Sequence, residues 1–354
     1  MSAFSPSVSV IIPTYNRARF VPRAVASVLA QTVVEKIEVI VVDDGSTDRT
    51  EQVLAPYRDR IRYYKQRNQG VVAARNKGID VANGTFIALL DSDDSWAPWK
   101  IETQLRCFEI RPGLQLLWTN ATAVDDEGNF LYEDFAHTYY AYQYFRNETL
   151  FGEIIPIDVG KGTVPILASA PLGIGDLSSA MFMGNFVVTS SVLMRREAVE
   201  AAGRFDPAMG QAMEDYDLFW RICERGLAGF LDVPAVSMRR GGEDHLIAAQ
   251  GRMAQSDLKA LEKYLSRHPE GPRLDRRLVT HRLKEAYERV GIARFDEGDH
   301  GLARKYTALA MRHGSRRKRI YLYYLMSLLP PVAVRALRWL LRRARAFKAR
   351  IRRP

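Results

Sequence analysis

Cysteine is nearly absent from this 354-residue chain: Cys107 and Cys223 are the only two, too few for a disulfide framework, and both fall in apolar helical settings that suit a small buried hydrophobe. A reducing cytoplasm fits that usage. Long apolar runs are missing too. No stretch approaches the roughly 18 consecutive apolar residues that signal a membrane span, and the opening MSAFSPSVSVIIP has no basic segment leading into an apolar core and cleavage site, so no signal peptide is expected. No G-x-G-x-x-G follows the first β-branched run, which counts against a dinucleotide oxidoreductase. The last absence is of acids. Gly301 to Pro354 contains 16 Lys and Arg and no Asp or Glu, leaving 35 basic against 41 acidic residues before it. The formal net charge of +10 therefore belongs to the C-terminus, which argues against a general nucleic-acid binder and for a localised anionic partner. At 47% hydrophobic and 26% charged, the chain is an ordered globular protein, long enough for one large domain with an appendage or for two domains.

What is present centres on Asp91-Ser92-Asp93-Asp94, three carboxylates in four residues directly after the apolar run Phe86-Ile87-Ala88-Leu89-Leu90. Such a run reads as a buried parallel strand whose carboxyl end opens into a ligand crevice. Acids packed this closely repel one another, and a divalent cation such as Mg²⁺ or Mn²⁺ relieves that repulsion. The competing reading is a solvated acidic turn capping a helix that begins near Trp96-Ala97-Pro98. An EF-hand loop is excluded because its sixth position, Trp96, needs glycine.

Upstream, Val8 to Ile12 is a β-branched run stopped by Pro13, and Ile37 to Val42 is a second, stopped by Asp43-Asp44-Gly45-Ser46. Val21, Val25, Val28 and Leu29 recur at helical spacing between them, which makes a βαβ unit. The pattern repeats with a helix from Asp48 to about Tyr57, a strand at Ile61 to Tyr64, a helix at Val71 to Ala82 and the strand at Phe86 to Leu90. The first 95 residues thus form a Rossmann-like α/β half. Asp44 and Tyr15 share a crevice edge with Asp91 to Asp94, where a carboxylate suits a uracil imide N–H and a tyrosine suits stacking on the base. A plain Asp-Gly turn is the alternative for Asp44.

VSVIIPTYNR (Val8 to Arg17), EVIVVDDGSTD (Glu38 to Asp48), GVVAARNKGID (Gly70 to Asp80), GTFIALLDSDD (Gly84 to Asp94) and MEDYDLFWR (Met213 to Arg221) together resemble, in order and over about residues 8 to 245, family 2 of the inverting glycosyltransferases with the GT-A fold. The resemblance implies a nucleotide-sugar donor, with UDP preferred, a divalent metal (Mn²⁺ or Mg²⁺) and a single catalytic base. By motif position the donor site would comprise Pro13, Tyr15, Asp44, Arg75, Asp91 and Ser92. Asp91 and Asp93 would occupy the D-x-D, with Asp93 or Asp94 touching the metal, and Asp215 would be the base. The other reading of Glu214 and Asp215 is a pair of helix N-terminal acids. One base and no second motif carboxylate imply inversion by single displacement rather than a double displacement. The expected fold is a GT-A Rossmann-like nucleotide-sugar-binding domain over residues 1–250, with a nucleotide half to about 95 and an acceptor half from 96, followed by a helical region with a basic amphipathic tail over 251–354. A nucleotidyltransferase of related architecture and a non-catalytic glycan- or sugar-nucleotide-binding protein are the alternatives. The first would want a glycine-rich phosphate loop where Pro13 to Arg17 stand, and the second would tolerate loss of Asp215.

Asn120 to Gly184 is rich in aromatics, including Phe130, Tyr132, Phe135, Tyr139, Tyr142 and Phe151, whose faces suit sugar rings and a core equally. Asn185 to Met194 reads as extended. The Q-x-x-R-W motif of processive members is absent, so one transfer per encounter is expected. His245 lies where some members supply a metal ligand, but Arg239-Arg240-Gly241-Gly242 fits the spacing poorly and a surface histidine is the alternative. From about Ser256 the periodicity is helical, with Leu283 to Phe295 and Leu302 to Met311 forming a hairpin like one tetratricopeptide unit. Past Pro330-Pro331, Val334, Leu337, Leu341, Ala344, Phe347 and Ile351 recur beside many arginines, with Trp339 among them. That is the pattern of a helix lying in an anionic membrane surface, and it predicts a peripheral protein on the inner face of the cytoplasmic membrane acting on a glycan or lipid-linked acceptor. Docking on the acidic remainder of the chain and nucleic-acid contact are the alternatives.

Overall fold

The computed structural model describes residues 7–159, 169–210, 212–241, 250–330 and 332–334. The chain divides into two compact units, Met1–His245 and Leu246–Pro354. The first begins with the expected alternation: β1 (Val8–Thr14), α1 (Val21–Leu29), β2 (Ile37–Asp43), α2 (Thr50–Leu54), β3 (Arg62–Lys65), α3 (Val71–Val81) and β4 (Phe86–Leu89). After it come β5 (Ser95–Trp96), α4 (Lys100–Ile110), β6 (Leu114–Val124), β7 (Phe130–Tyr132), α5 (Asn147–Leu150), β8 (Glu153–Ile157), β9 (Ala170–Gly175), β10 (Leu193–Arg195), α6 (Arg196–Ala201), α7 (Glu214–Cys223) and β11 (Leu227–Arg239).

Among the described residues these strands make one mixed sheet in the order β3-β2-β1-β4-β10-β6-β11-β9-β8, with β5 paired to β11 and β7 to β6. Strands β1 to β4 pair in parallel, and β10 joins them antiparallel. Every residue of β1 and β2 is buried, the continuous apolar pattern of strands covered on both faces. The chain moves from β1 outward through β2 and β3, then returns to β4 on the other side of β1. Loops leaving the carboxyl ends of β1 and β4 therefore diverge and open a crevice.

Pro13 does not stop β1, as its sequence signal implied. It pairs with Val42, and Thr14 with Asp43. The Ile11 carbonyl faces β4 by accepting from the Leu90 N–H, so Pro13, two residues on, also faces β4, whose pairing has ended at Ile11–Leu89; no ladder donor is missed. The expected extended segment from Asn185 is corrected as well: Thr189–Ser191 is a 3₁₀ turn and only Leu193–Arg195 pairs. Ser190 and Ser191 spend their side chains on backbone and Asp94 instead of a ladder. The helix expected near Trp96 begins at Lys100, after the short β5. Both cysteines are buried, and burial pushes the Cys107 thiol up to about 12.

The aromatics left open between core and sugar platform divide. Phe135, Tyr142 and Phe151 are buried, with Tyr142 and Phe151 against Phe230, whereas Phe130 and Tyr132 are exposed.

The second unit contains α8 (Gln250–Arg267), α9 (Arg276–Glu297), α10 (His300–Arg312) and α11 (Lys318–Met326). Gly298, at φ 89°, ends α9, and Asp299 caps α10 by accepting from Leu302 N–H. The hairpin closes tightly at Gly291, where a Cβ would lie 3.0 Å from the Thr307 nitrogen. Buried Arg282 pairs with Asp257, which also holds Arg289 at 2.7 Å. The basic amphipathic tail and His245 lie outside the described residues.

Strand β4, which delivers the acidic loop, is tied to β1 at its start. Glu38 Oε1 accepts from the Ser9 hydroxyl at 2.6 Å, and Ser9 Oγ accepts from Gly84 N–H at 2.8 Å. A Cβ on Gly84 would sit 2.6 Å from the Ser9 nitrogen and 2.8 Å from the Val8 carbonyl carbon. Gly84→Ala is therefore expected to destabilise the domain by about 2 kcal/mol through overpacking, read as a lower urea midpoint at unchanged slope. An unchanged midpoint would mean that β4 does not depend on this approach.

Candidate active site

Pro13, Tyr15, Asp44, Arg75, Asp91, Ser92 and Asp93 all line one cavity of about 560 Å³ at the carboxyl ends of β1, β2 and β4. Tyr15 projects there, 45% exposed. Asp44 is buried because a carboxylate can satisfy several donors at once: Oδ1 accepts from Gln66 Nε2 at 2.7 Å and Gln69 N–H at 3.0 Å, and Oδ2 from Gly70 N–H at 2.7 Å. Of its roughly four lone-pair sites, these occupy three. Two buried polar atoms of the wall, Thr14 Oγ1 and Arg75 Nε, have no hydrogen-bond partner, and a ligand rich in acceptors would satisfy the Arg75 N–H.

The acids after β4 have three different surroundings. Asp91 Oδ1 accepts from Arg75 at 2.9 Å. Asp93 Oδ2 lies 3.2 Å from the Arg239 guanidinium, which is itself buried and also holds Asp126 at 2.5 Å. Asp94 turns away from the cavity. Its Oδ2 meets the Ser190 hydroxyl at 2.5 Å and its Oδ1 accepts from Arg239 N–H at 2.9 Å. Burial, with Asp91 and Asp93 nearby, pushes the Asp94 carboxyl up to about 8. The hard oxygen donors of Asp91 and Asp93, both on the cavity wall, fit Mg²⁺ or Mn²⁺. Asp94, grouped with them in the sequence reading, is engaged in structural bonds and does not fit that task.

Asp215 is not among the residues lining this cavity; Arg75 connects the two. The Arg75 guanidinium is buried and reaches Glu214 Oε1 at 2.8 Å as well as Asp91. Glu214 and Asp215 open α7, preceded by Met213 at φ 62°, a left-handed turn uncommon for a β-carbon residue. The α7 N-terminus favours this acidity electrostatically. Asp215 Oδ1 accepts from Tyr216 N–H at 2.7 Å, and Oδ2 accepts from the Thr189 hydroxyl. Burial and the adjacent Asp215 raise the Glu214 carboxyl to about 7 against the pull of Arg75. Tyr139 belongs to the same neighbourhood, since burial and then the Asp215 charge push its phenol upward.

Several of these residues had no distinctive sequence signal. Thr189 and Ser190 look like strand residues, and Arg239 like one more basic residue before a glycine pair. Glu214, read only as a companion of Asp215, is the ion partner of Arg75. Elsewhere, Asp134, His137 and Asp232 bring ligand-type atoms within 4.8 Å of one another, the one such group found among the described residues. Asn120 Nδ2 donates to both carboxylates at 2.7 and 2.8 Å, and His137 pairs with Asp134, so protein groups already satisfy this cluster. Asp232 precedes Arg239 by seven residues of β11, roughly 20 Å of strand from the Asp94 contact.

Because Asp94 is buried, with its carboxyl shifted toward the neutral form, and doubly bonded, Asp94→Asn is expected to keep the fold within about 1 kcal/mol. Asp94→Ala, which strands Ser190 and the Arg239 N–H, should cost about 2 kcal/mol or more. Urea unfolding of both variants at pH 7 checks the pair, and equal losses would refute the role assigned to the bonds with Ser190 and the Arg239 N–H.

Residues 9–164 match the domain described as glycosyl transferase family 2. A glycosyltransferase of Rickettsia bellii is 40% identical over 135 residues, 37% of this chain and 19% of that protein. Chondroitin synthase of Escherichia coli is 36% identical over 129 residues, 36% of this chain and 19% of that protein. EpsH of Bacillus subtilis is 36% identical over 138 residues, 38% and 40% of the two. The match spans less than half of each of these relatives. Among solved structures, Staphylococcus aureus TarS 1–349 superposes with a TM-score of 0.52 at 17% identity, covering 90% of this chain and 89% of that one. TarS 1–349 in complex with UDP-GlcNAc superposes at 0.50, with 17% identity and 90% and 89% coverage. The motifs, the sheet order and these similarities agree: residues 9–164 carry a domain matching glycosyl transferase family 2, within a GT-A-like α/β fold followed by a helical C-terminal region.

Proposed function

We propose that this protein is a non-processive inverting glycosyltransferase, moving a sugar from a UDP-type donor to a hydroxyl of a glycan or lipid-linked acceptor. The observation that carries this reading is the convergence of Pro13, Tyr15, Asp44, Arg75, Asp91 and Ser92 on one cavity, whose Arg75 also holds the residue beside Asp215. A solved TarS complex with UDP-GlcNAc supports the donor class. In this reading Tyr15 stacks on the base and the remaining lone pair of Asp44 takes its imide N–H. Thr14 Oγ1 and Arg75 Nε supply polar contacts along the cavity.

The acceptor oxygen attacks the anomeric carbon as the bond from that carbon to the β-phosphate oxygen breaks, and Asp215 Oδ2 takes the acceptor proton. The Thr189 hydroxyl and Tyr216 N–H orient that carboxylate. Arg75 fixes Glu214 and therefore the first turn of α7. A divalent cation held by Asp91 and Asp93 would neutralise charge developing on the leaving diphosphate. Double displacement would need a second carboxylate as nucleophile; the motifs give a role of this kind to Asp215 alone, which supports the inverting reading. The tail beyond Val334 is read as a membrane-surface contact that brings the site to an envelope acceptor, with the protein peripheral on the cytoplasmic face.

Asp215→Asn is expected to lower transfer by about two to four orders of magnitude with UDP-sugar affinity retained, checked by product formation beside calorimetric binding. Wild-type turnover in the folded Asn variant would overturn the base assignment. A thermal-shift series with UDP and UDP-sugars should raise the midpoint of the wild-type protein further with Mn²⁺ than with chelator, because ligands of the native state stabilise by mass action. Asp93→Ala should remove that Mn²⁺ increment while leaving the metal-free shift. Equal shifts with and without Mn²⁺ in the wild type would exclude the metal role.

A further inference from the structure

Helix α11 and the turn after it carry two apolar faces. One is packed: Met326 and Val334 are buried with Phe295 and Ala303, and Tyr323 lies against them. The other is open to solvent. Tyr321, Leu322, Leu325, Leu328, Leu329 and Val332 are between 43% and 68% exposed, and their spacing of one, three, three, one and three residues draws a single stripe along the helix and turn. A helix apolar on nearly all sides is ordinarily buried on all sides, and a contiguous patch of this kind on a surface marks an interaction site.

The charge beside the stripe identifies its occupant. Arg316, Arg317, Lys318 and Arg319 are all exposed at the start of α11. The acids facing them are few: Glu288 holds Arg317 at 2.9 Å and Asp296 holds Arg319 at 3.1 Å. Next to them in the chain, His313 and Gly314 line an open cavity with Arg276, Arg277 and Lys284, where Asp275 is the one acid. The chain's own tail past Val334 carries only basic charge, and a second copy would bring the same four cations. Both would meet repulsion at this collar. A phospholipid surface with anionic headgroups satisfies both features, since apolar side chains enter the acyl boundary while Arg and Lys stay at headgroup level.

We infer that the α11 stripe, Tyr321 to Val332, with the Arg316–Arg319 collar, is a docking face for an anionic lipid surface in its own right, separate from the tail. The inference deepens the membrane contact of the proposed function by assigning it to residues of the folded helical unit.

Flotation with phosphatidylcholine vesicles, with and without phosphatidylglycerol, tests it on the full chain. Leu325→Gln with Leu328→Gln is compared with Leu337→Gln with Leu341→Gln in the tail. The wild type is expected to float with phosphatidylglycerol vesicles at low salt, and the α11 double variant to bind at least about tenfold more weakly. Both variants are solvent-face or tail changes, and unaltered UDP-sugar binding in solution serves as the control for folding. An α11 variant that floats like the wild type overturns the inference even if the tail variant is lost from the vesicles. Failure of the wild type to float overturns it together with the tail contact, whereas absence of UDP-sugar binding would sink the transferase reading without touching flotation. Should the wild type sediment as a dimer, the α11 variant as a monomer, and both float equally, the face joins two copies and the lipid assignment is wrong.

Discussion

Buried Arg75 is the interaction on which the geometry of the active-site region depends. It bonds Asp91, 16 residues away, and Glu214, 139 residues away, and it packs over the Phe205 ring. A buried guanidinium is tolerated only when its charge and hydrogen bonds are met. Once met, it fixes the distance between the loop after β4 and the first turn of α7. Removing one partner of such a set costs about 3–5 kcal/mol, because charge is left buried and unpaired. The loop after β4 and the first turn of α7, 123 residues apart from Asp91 to Glu214, are thus joined beside the cavity.

Electrostatics explains how so many acids coexist there. Asp91 is paired with Arg75, Asp93 with Arg239, and Asp94, its carboxyl raised by burial, is bonded to Ser190 and to backbone. Each of these partnerships offsets a repulsion that would otherwise oppose folding. What remains directed at the cavity is a moderated negative wall beside Arg75 and Arg17, suited to a diphosphate accompanied by a cation. The Asp126–Arg239–Asp93 chain extends this control to the turn before β7, so a loop remote in sequence bears on the acidic cluster.

The helical unit solves a different problem. Its hairpin closes on Gly291 and on the Asp257–Arg282 pair, which secures α8 to α10 without α11. That helix is held by one of its apolar faces and offers the other to the surroundings, beside a band of arginines. A folding requirement alone would have placed polar residues on the open face; their absence points to a surface contact.

Much of this was legible in the residues themselves. The apolar runs at Val8, Ile37 and Phe86, spaced by helical periodicity, determine the parallel half, because strands covered on both faces must be continuously apolar. Asp44, Asp91, Asp93 and Tyr15 could be assigned to one crevice, since diverging loops at the carboxyl ends of neighbouring parallel strands open one there. Periodicity likewise anticipated the helices α8 to α11. What only the tertiary structure decided were the partnerships across long separations: Arg75 with Glu214, Arg239 with Asp93, and Ser190 with Asp94. No local pattern encodes which of three adjacent acids will have its carboxyl pushed upward, because that follows from burial and from the charges packed around it. Nor could spacing reveal which face of α11 is covered. Apolar residues recur on both, and only packing against Phe295 and Ala303 selects the inner one.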